Sequence, residues 1–151
     1  RKNLFMAYAH VAHDCIVGDD NVFANNAGIA GHVNVGNNVT IGAMTTIHQF
    51  CQIGDYSFAG MNTSITMDVP AYIKVASNPA RVIGLNSVGM ERAGINQETI
   101  SILKKVYKII YRKGFNLKDA IAKVESMDCF NVEEVQNFIS SLKSSERGIL
   151  R

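Results

Sequence analysis

Five residues near the start of the chain have the right types to move a proton, His10, His13, Asp14, His32 and His48, and Gln49 beside them can hydrogen-bond a substrate. A neutral imidazole can take a proton from a hydroxyl group, and a neighbouring carboxylate can fix its tautomer and stabilise the cation that forms. His13 beside Asp14 offers that pairing, although neighbours on a strand point to opposite sides. Two other readings stand beside it. The histidines could be hydrogen-bonded spacers in turns, or metal ligands through His10 and His13, which are three residues apart on an extended chain. No serine sits in a nucleophile-elbow setting, no exposed cysteine adjoins a histidine, and no phosphate-binding glycine loop joins a strand to a helix. Direct transfer to a hydroxyl, without a covalent enzyme intermediate, is the chemistry these residues permit.

The elements that must position them follow a period of six. Val11, Val17, Phe23, Ile29, Val35, Ile41, Ile47, Ile53, Ala59 and Ile65 recur at every sixth place, and the next residue is usually Gly or Ala. Neither a helix nor a half-buried strand repeats at six. Short fixed repeats mark a parallel β-helix, with each hexad one face of a three-sided coil and three hexads one turn. Residues eighteen apart therefore stack. Pairs at one corner are His13-Asp14, Gly31-His32, Gln49-Phe50 and Met67-Asp68, and all four histidines are expected to crowd that edge. Cys15, Val33 and Cys51 form an inward column in which the two thiols are roughly 10 Å apart, two coil spacings, too far for a disulfide.

The coil array is expected over residues 1–68, ending at Asp68-Val69-Pro70 because proline cannot donate to a further ladder. Residues 69–85 read as an irregular connection with a short strand at Tyr72–Ala76. From 86 to 151 the period becomes helical: Ser87–Arg92, then a helix capped by Asn96 and running to Gly114, then Leu117–Met127 and Val132–Leu142. This C-terminal helical domain is read as a cap for the array. The chain opens with Arg1-Lys2-Asn3 inside a repeat, so further coils are expected upstream.

Apolar residues make up 47% and charged residues 19%, as in a globular protein rather than a disordered one. No apolar run approaches the ~18 residues of a membrane span. Three cysteines without a recognisable secretory signal point to a reducing compartment. The net charge of +2 is unevenly spread, with three basic and five acidic side chains in residues 1–80 and twelve and eight thereafter. Lys104, Lys105, Lys108, Arg112 and Lys113 form a basic strip, either a solvated helix face or a landing surface for an acidic partner.

The segments His10-Val11-Ala12-His13-Asp14-Cys15, Asn25-Asn26, Ala30-Gly31-His32-Val33 and Ile47-His48-Gln49-Phe50-Cys51 closely resemble the UDP-N-acetylglucosamine O-acyltransferases that begin lipid A synthesis. The likeness continues through Asp68-Val69-Pro70, Asn86, Arg92, Tyr107 to Arg112 and the closing Arg147 to Arg151. It implies a left-handed parallel β-helix with a helical C-terminal domain, assembled as a cytoplasmic homotrimer in a Gram-negative bacterium. It implies transfer of a 3-hydroxyacyl group from acyl carrier protein to the 3-hydroxyl of UDP-N-acetylglucosamine. By this resemblance His13 is the general base, Asp14 orients it and the Gly31 amide holds the oxyanion. His32 and Gln49 match sugar-contacting positions, His10 and His48 line the same cleft, and Asn86 and Arg92 reach the nucleotide from a neighbouring subunit. No cofactor, metal, nucleic acid or membrane span is implied. Val88 stands where the family often has Glu, Pro79 where it has His, and Met61 where it often has Gly at the end of the acyl groove. The bulk of Met61 suggests a shorter donor, near ten carbons. N-acyl or acetyl transfer by a related hexapeptide enzyme, a non-catalytic trimer and a zinc-binding β-helix remain the alternatives.

Overall fold

Two-residue strands dominate the first half of the chain because the hexads allow nothing longer. The computed structural model describes residues 1–151. Strands numbered in chain order stack on three faces. The first face carries β1 (Leu4–Phe5), β4 (Val22–Phe23), β7 (Thr40–Ile41), β10 (Phe58–Ala59) and β12 (Ile73–Ala76). The second carries β2 (His10–Val11), β5 (Gly28–Ile29), β8 (Thr46–Ile47) and β11 (Ser64–Ile65), and the third β3 (Ile16–Val17), β6 (Asn34–Val35) and β9 (Gln52–Ile53). All these pairings are parallel and in register at eighteen residues wherever two hexad strands meet, as in Val22↔Thr40 and Gly28↔Thr46. The coil is left-handed. The right-handed rule for crossovers depends on strand twist, and strands of two residues have little twist to transmit.

The sixth-place residues point inward as expected: Phe23, Ile29, Ile41 and Ile65 are buried, as are Val33 and Cys51 in the cysteine column. The cysteines are free, and burial pushes the Cys51 thiol up to about 11. Asn21 is a polar residue inside the prism. Its amide donates to Gly36 O at 2.8 Å and accepts from Val39 N at 2.7 Å, so it carries corner backbone groups that would otherwise be buried without partners.

Two expectations are corrected here. The repeat does not end at Asp68-Val69-Pro70. Val69 pairs with Ile53, sixteen residues back instead of eighteen, and β12 then continues the first face on β10. Proline is tolerated because each coil donates toward the next one, as Gly18 N does to Val35 O and Gly36 N to Ile53 O. Pro70 has no coil above it to receive a hydrogen bond. Residues 69–85 are also more regular than expected: β13 (Arg81–Leu85) returns antiparallel to β12 and closes the sheet edge.

The helical domain comprises α1 (Ser87–Arg92), α2 (Gln97–Tyr111), α3 (Leu117–Glu125) and α4 (Glu133–Lys143), with a 3-10 turn at Asp128–Asn131. Asn96 and Asn116 cap α2 and α3 through bonds from Thr99 N and Asp119 N. Ile100, Leu103, Val106 and Ile110 bury one face of α2, joined in the same core by Val124 of α3 and Phe138 of α4. The last residues tie this domain to the coils. Asp68 N donates to Gly148 O and Leu150 N to Asp68 O, each at 2.9 Å, and the buried Asp68 carboxylate accepts from Gln52 N and from the Ser145 hydroxyl.

Candidate active site

At the corner between the second and third faces, the first turn residues of successive coils are His13, Gly31 and Gln49. The second are Asp14, His32 and Phe50, with φ of 57°, 60° and 66°. In this left-handed conformation consecutive side chains do not alternate as they do along a strand. His13 and Asp14 therefore meet, with Nδ1 and Oδ2 2.9 Å apart. His32, one coil on, places Nε2 3.8 Å from the same oxygen, and its ring meets that of His13 edge-on at 5.2 Å and 87°. Phe50 continues the column, stacked on His32 at 4.8 Å and 11°. The hydrogen bond from His13, followed by the charge of His32, holds the Asp14 carboxyl below the usual carboxylate range. An ionised carboxylate only accepts, so a neutral His13 ring carries its proton on Nδ1 and presents the Nε2 lone pair.

Gly31 is required by close approach. A Cβ there would lie 2.6 Å from His13 Cε1 and 2.7 Å from Nε2, so the imidazole rests on bare backbone. The corresponding corner amides of Asp19 and Asn37 donate to side chains of Asn37 and Asp55 in the next coil. The Gly31 amide donates to nothing within the chain. The residue on which the His13 ring rests thus keeps an unspent N–H, of the kind that can donate to negative charge developing on a reacting oxygen.

The other sequence-predicted residues are not all gathered here. His10 is exposed on β2 and His48 follows β8, its Nδ1 3.1 Å from Gln49 O; both flank the corner on the second face without a hydrogen bond to the histidine pair. Only His13 and His32 of the four histidines are thus in mutual contact. Gln49 is exposed in the His13 column. Met61 is 64% exposed on the corner between the first and second faces. Asn86 and Arg92 line a cleft of about 460 Å³ with Asp20, Asn38, Thr40, Phe58, Lys74 and Val88. That cleft lies over the first face, and the edge between the second and third faces of a three-sided prism is opposite the first. Asn86 is buried and its amide is engaged, donating to Tyr56 O at 2.8 Å and accepting from Gly89 N to cap α1. Sequence reasoning placed Phe50 at the corner but gave it no part in the site; its register eighteen residues after His32 was the available signal.

The family model described as UDP-N-acetylglucosamine O-acyltransferase, domain 2, matches residues 68–150. The chain belongs to the UDP-N-acetylglucosamine O-acyltransferase family. It is 42% identical over 149 residues to the acyl-[acyl-carrier-protein]–UDP-N-acetylglucosamine O-acyltransferase of Thiobacillus denitrificans, covering 99% of this chain and 57% of that protein. The crystal structure of the Moraxella catarrhalis UDP-N-acetylglucosamine O-acyltransferase superposes with a TM-score of 0.95 at 43% identity, covering 99% of this chain and 58% of the other. The Arabidopsis UDP-N-acetylglucosamine acyltransferase gives a TM-score of 0.95 at 33% identity over 99% and 55% of the two chains. The chain spans a little over half the length of these relatives.

Gly31→Ala isolates the close approach, because Gly31 is not in the left-handed region. The variant is expected to keep its circular dichroism and thermal midpoint while the His13 imidazole is pushed off the corner. Histidine ring resonances in NMR spectra would report the shift, and unmoved His13 signals would contradict the packing described here.

Proposed function

We propose that the protein transfers a 3-hydroxyacyl group from the thioester of acyl carrier protein to the 3-hydroxyl of UDP-N-acetylglucosamine, the first step of lipid A synthesis. The observation that carries this reading is the His13 imidazole, with Nδ1 bonded to Asp14 and its ring resting on Gly31, whose amide is unpaired. His13 Nε2 takes the proton of the sugar hydroxyl as its oxygen attacks the thioester carbonyl. The Gly31 N–H stabilises the oxyanion, Asp14 stabilises the imidazolium, and collapse expels the carrier's thiolate, which recovers the proton from His13.

His32, Gln49, His10 and His48 serve as sugar contacts along the edge and its flank. Arg92 reaches the nucleotide from the next subunit of a homotrimer, and Asn86 holds α1 in place for it. One chain has the histidine edge and α1 on opposite sides of its prism, so a site using both must draw them from different copies. Lys104, Lys105, Lys108, Arg112 and Lys113 are all exposed on and just beyond α2, which suits an acidic carrier protein. No helix is long and apolar enough to cross a membrane.

A metal reading has one observation in its favour: donor atoms of His13, Asp14 and His32 lie within 4.8 Å of one another. Stoichiometric zinc in the purified protein would favour that reading, and its loss on chelation should then abolish activity. Under the acyl-transfer reading chelators leave turnover unchanged.

His13→Ala is expected to lower transfer at least ~10²-fold, the contribution of a general base, with the oligomer intact by sedimentation. Near-normal turnover would overturn the assignment. The exposed Met61 side chain fills the end of the acyl groove and selects a shorter donor. In competition between ten- and fourteen-carbon 3-hydroxyacyl carrier proteins the shorter is expected to win, and Met61→Gly to shift the preference toward the longer. A parent protein that favours fourteen carbons would contradict this role.

A further inference from the structure

We propose that Phe50 is a positioning residue for the transfer reaction: its ring holds the His32 imidazole edge-on to His13, so that one carboxylate, Asp14, faces both histidines. This rests on the reaction proposed above and assigns a new role at the same site.

His32 is held chiefly by packing. Its ring makes no hydrogen bond within the chain, and its Nε2 stands 3.8 Å from Asp14 Oδ2, beyond hydrogen-bond reach. One face of the imidazole lies parallel to Phe50 at 4.8 Å, and the ring meets His13 at 87°. Besides that stack, only the edge contact with His13 and the attraction of Asp14 across 3.8 Å act on the imidazole. Phe50 supplies the face-on restraint, and a flat ring is the shape that can do so.

The placement of Phe50 is costly for the fold. It occupies the left-handed region at φ 66°, which disfavours a bulky side chain. The same turn position is filled by Asn26, Asn38 and Asn62 but also by Tyr8, Met44 and Tyr56, so the fold accepts that cost at several corners and what distinguishes Phe50 is the ring it stacks on. Phe50 is also 50% exposed, so burial offsets that cost only in part. A second aromatic column provides the contrast. Tyr56 stacks on Tyr72 at 5.4 Å and 10°, but Tyr72 is buried and packs on Phe138 of α4, so that stack serves the core. The Phe50 stack ends on a histidine pair at the surface.

Stacking of this kind contributes about 0.5–1.5 kcal/mol, which sets the expected effect at up to about tenfold. Phe50→Leu keeps bulk and removes the flat face. It is expected to raise KM for the nucleotide sugar roughly five- to tenfold and to change kcat less than about threefold. Phe50→Tyr and Phe50→Trp are expected to restore KM. In the double variant Phe50→Leu/His32→Ala the loss should not exceed that of His32→Ala alone, because Phe50 acts through His32. A parent-like KM in Phe50→Leu, or additive losses in the double variant, would overturn the proposal. NMR of the histidine rings provides a readout that needs no turnover. The Phe50 ring current should displace the His32 ring-proton signals in the parent and release them in Phe50→Leu, and signals unmoved by that change would overturn the positioning role. If the parent transfers no acyl group at all, the reaction itself is misassigned, while the NMR comparison still decides whether Phe50 holds His32.

Discussion

The constraint on which the rest depends is the hydrogen bond from each coil to the next: an N–H at position i donates to a carbonyl at i + 17, as His10 N does to Ala27 O, Gly28 N to Thr45 O and Thr46 N to Thr63 O. Repeated along three faces, this ladder locks the register at eighteen residues. A slip of one residue would turn the inward isoleucines to solvent and drive polar side chains into the prism. It also turns sequence columns into spatial columns. Chemistry that needs two histidines and a carboxylate within a few ångströms can therefore be written into a chain at fixed intervals, without any long loop to fold over a pocket.

That equivalence explains what could be read from the residues. The three faces, the inward cysteine column, the stacking of His13 on Gly31 and the change to helical period after Asn86 follow from counting. The His13–Asp14 contact does not, because the alternation rule for strands argues against it; the left-handed corner at Asp14 overrides the rule. The expected crowding of four histidines was too broad for a similar reason. His10 and His48 share the edge in register, but they stand on the flat face instead of the turn and so miss the pair. Pro70 misled because its missing N–H matters only where another coil would accept it. The two-residue shortening between Ile53 and Val69 is invisible to a count that assumes a constant period. Asn86 also has a structural part that no motif reveals, since its amide bonds Tyr56 and Gly89 in this fold.

The helical domain does more than close the stack. Ile149 forms a single parallel bridge with Asp68, Tyr111 donates to Leu150 O at 3.0 Å and Arg151 reaches the carbonyls of Ile110 in the last turn of α2 and of Phe115 beyond it. The coil array, the longest helix and the chain end are thus one mechanical unit. The cleft beside α1 lies over the first face, away from the histidine corner. A prism that carries its histidine pair on one edge and the exposed Arg92 over the opposite face has the geometry that the proposed site between copies requires.

The most direct measurement mixes two defective chains. His13→Ala protein and Arg92→Ala protein are each assayed alone and then after unfolding and refolding together in equal amounts. If each site joins the histidine edge of one protomer to α1 of another, about a quarter of the sites in randomly mixed oligomers regain both residues, and activity should recover to about that fraction of the parent. Recovery absent from mixed oligomers whose co-assembly has been verified would contradict the account, because both groups would then have to act within a single chain.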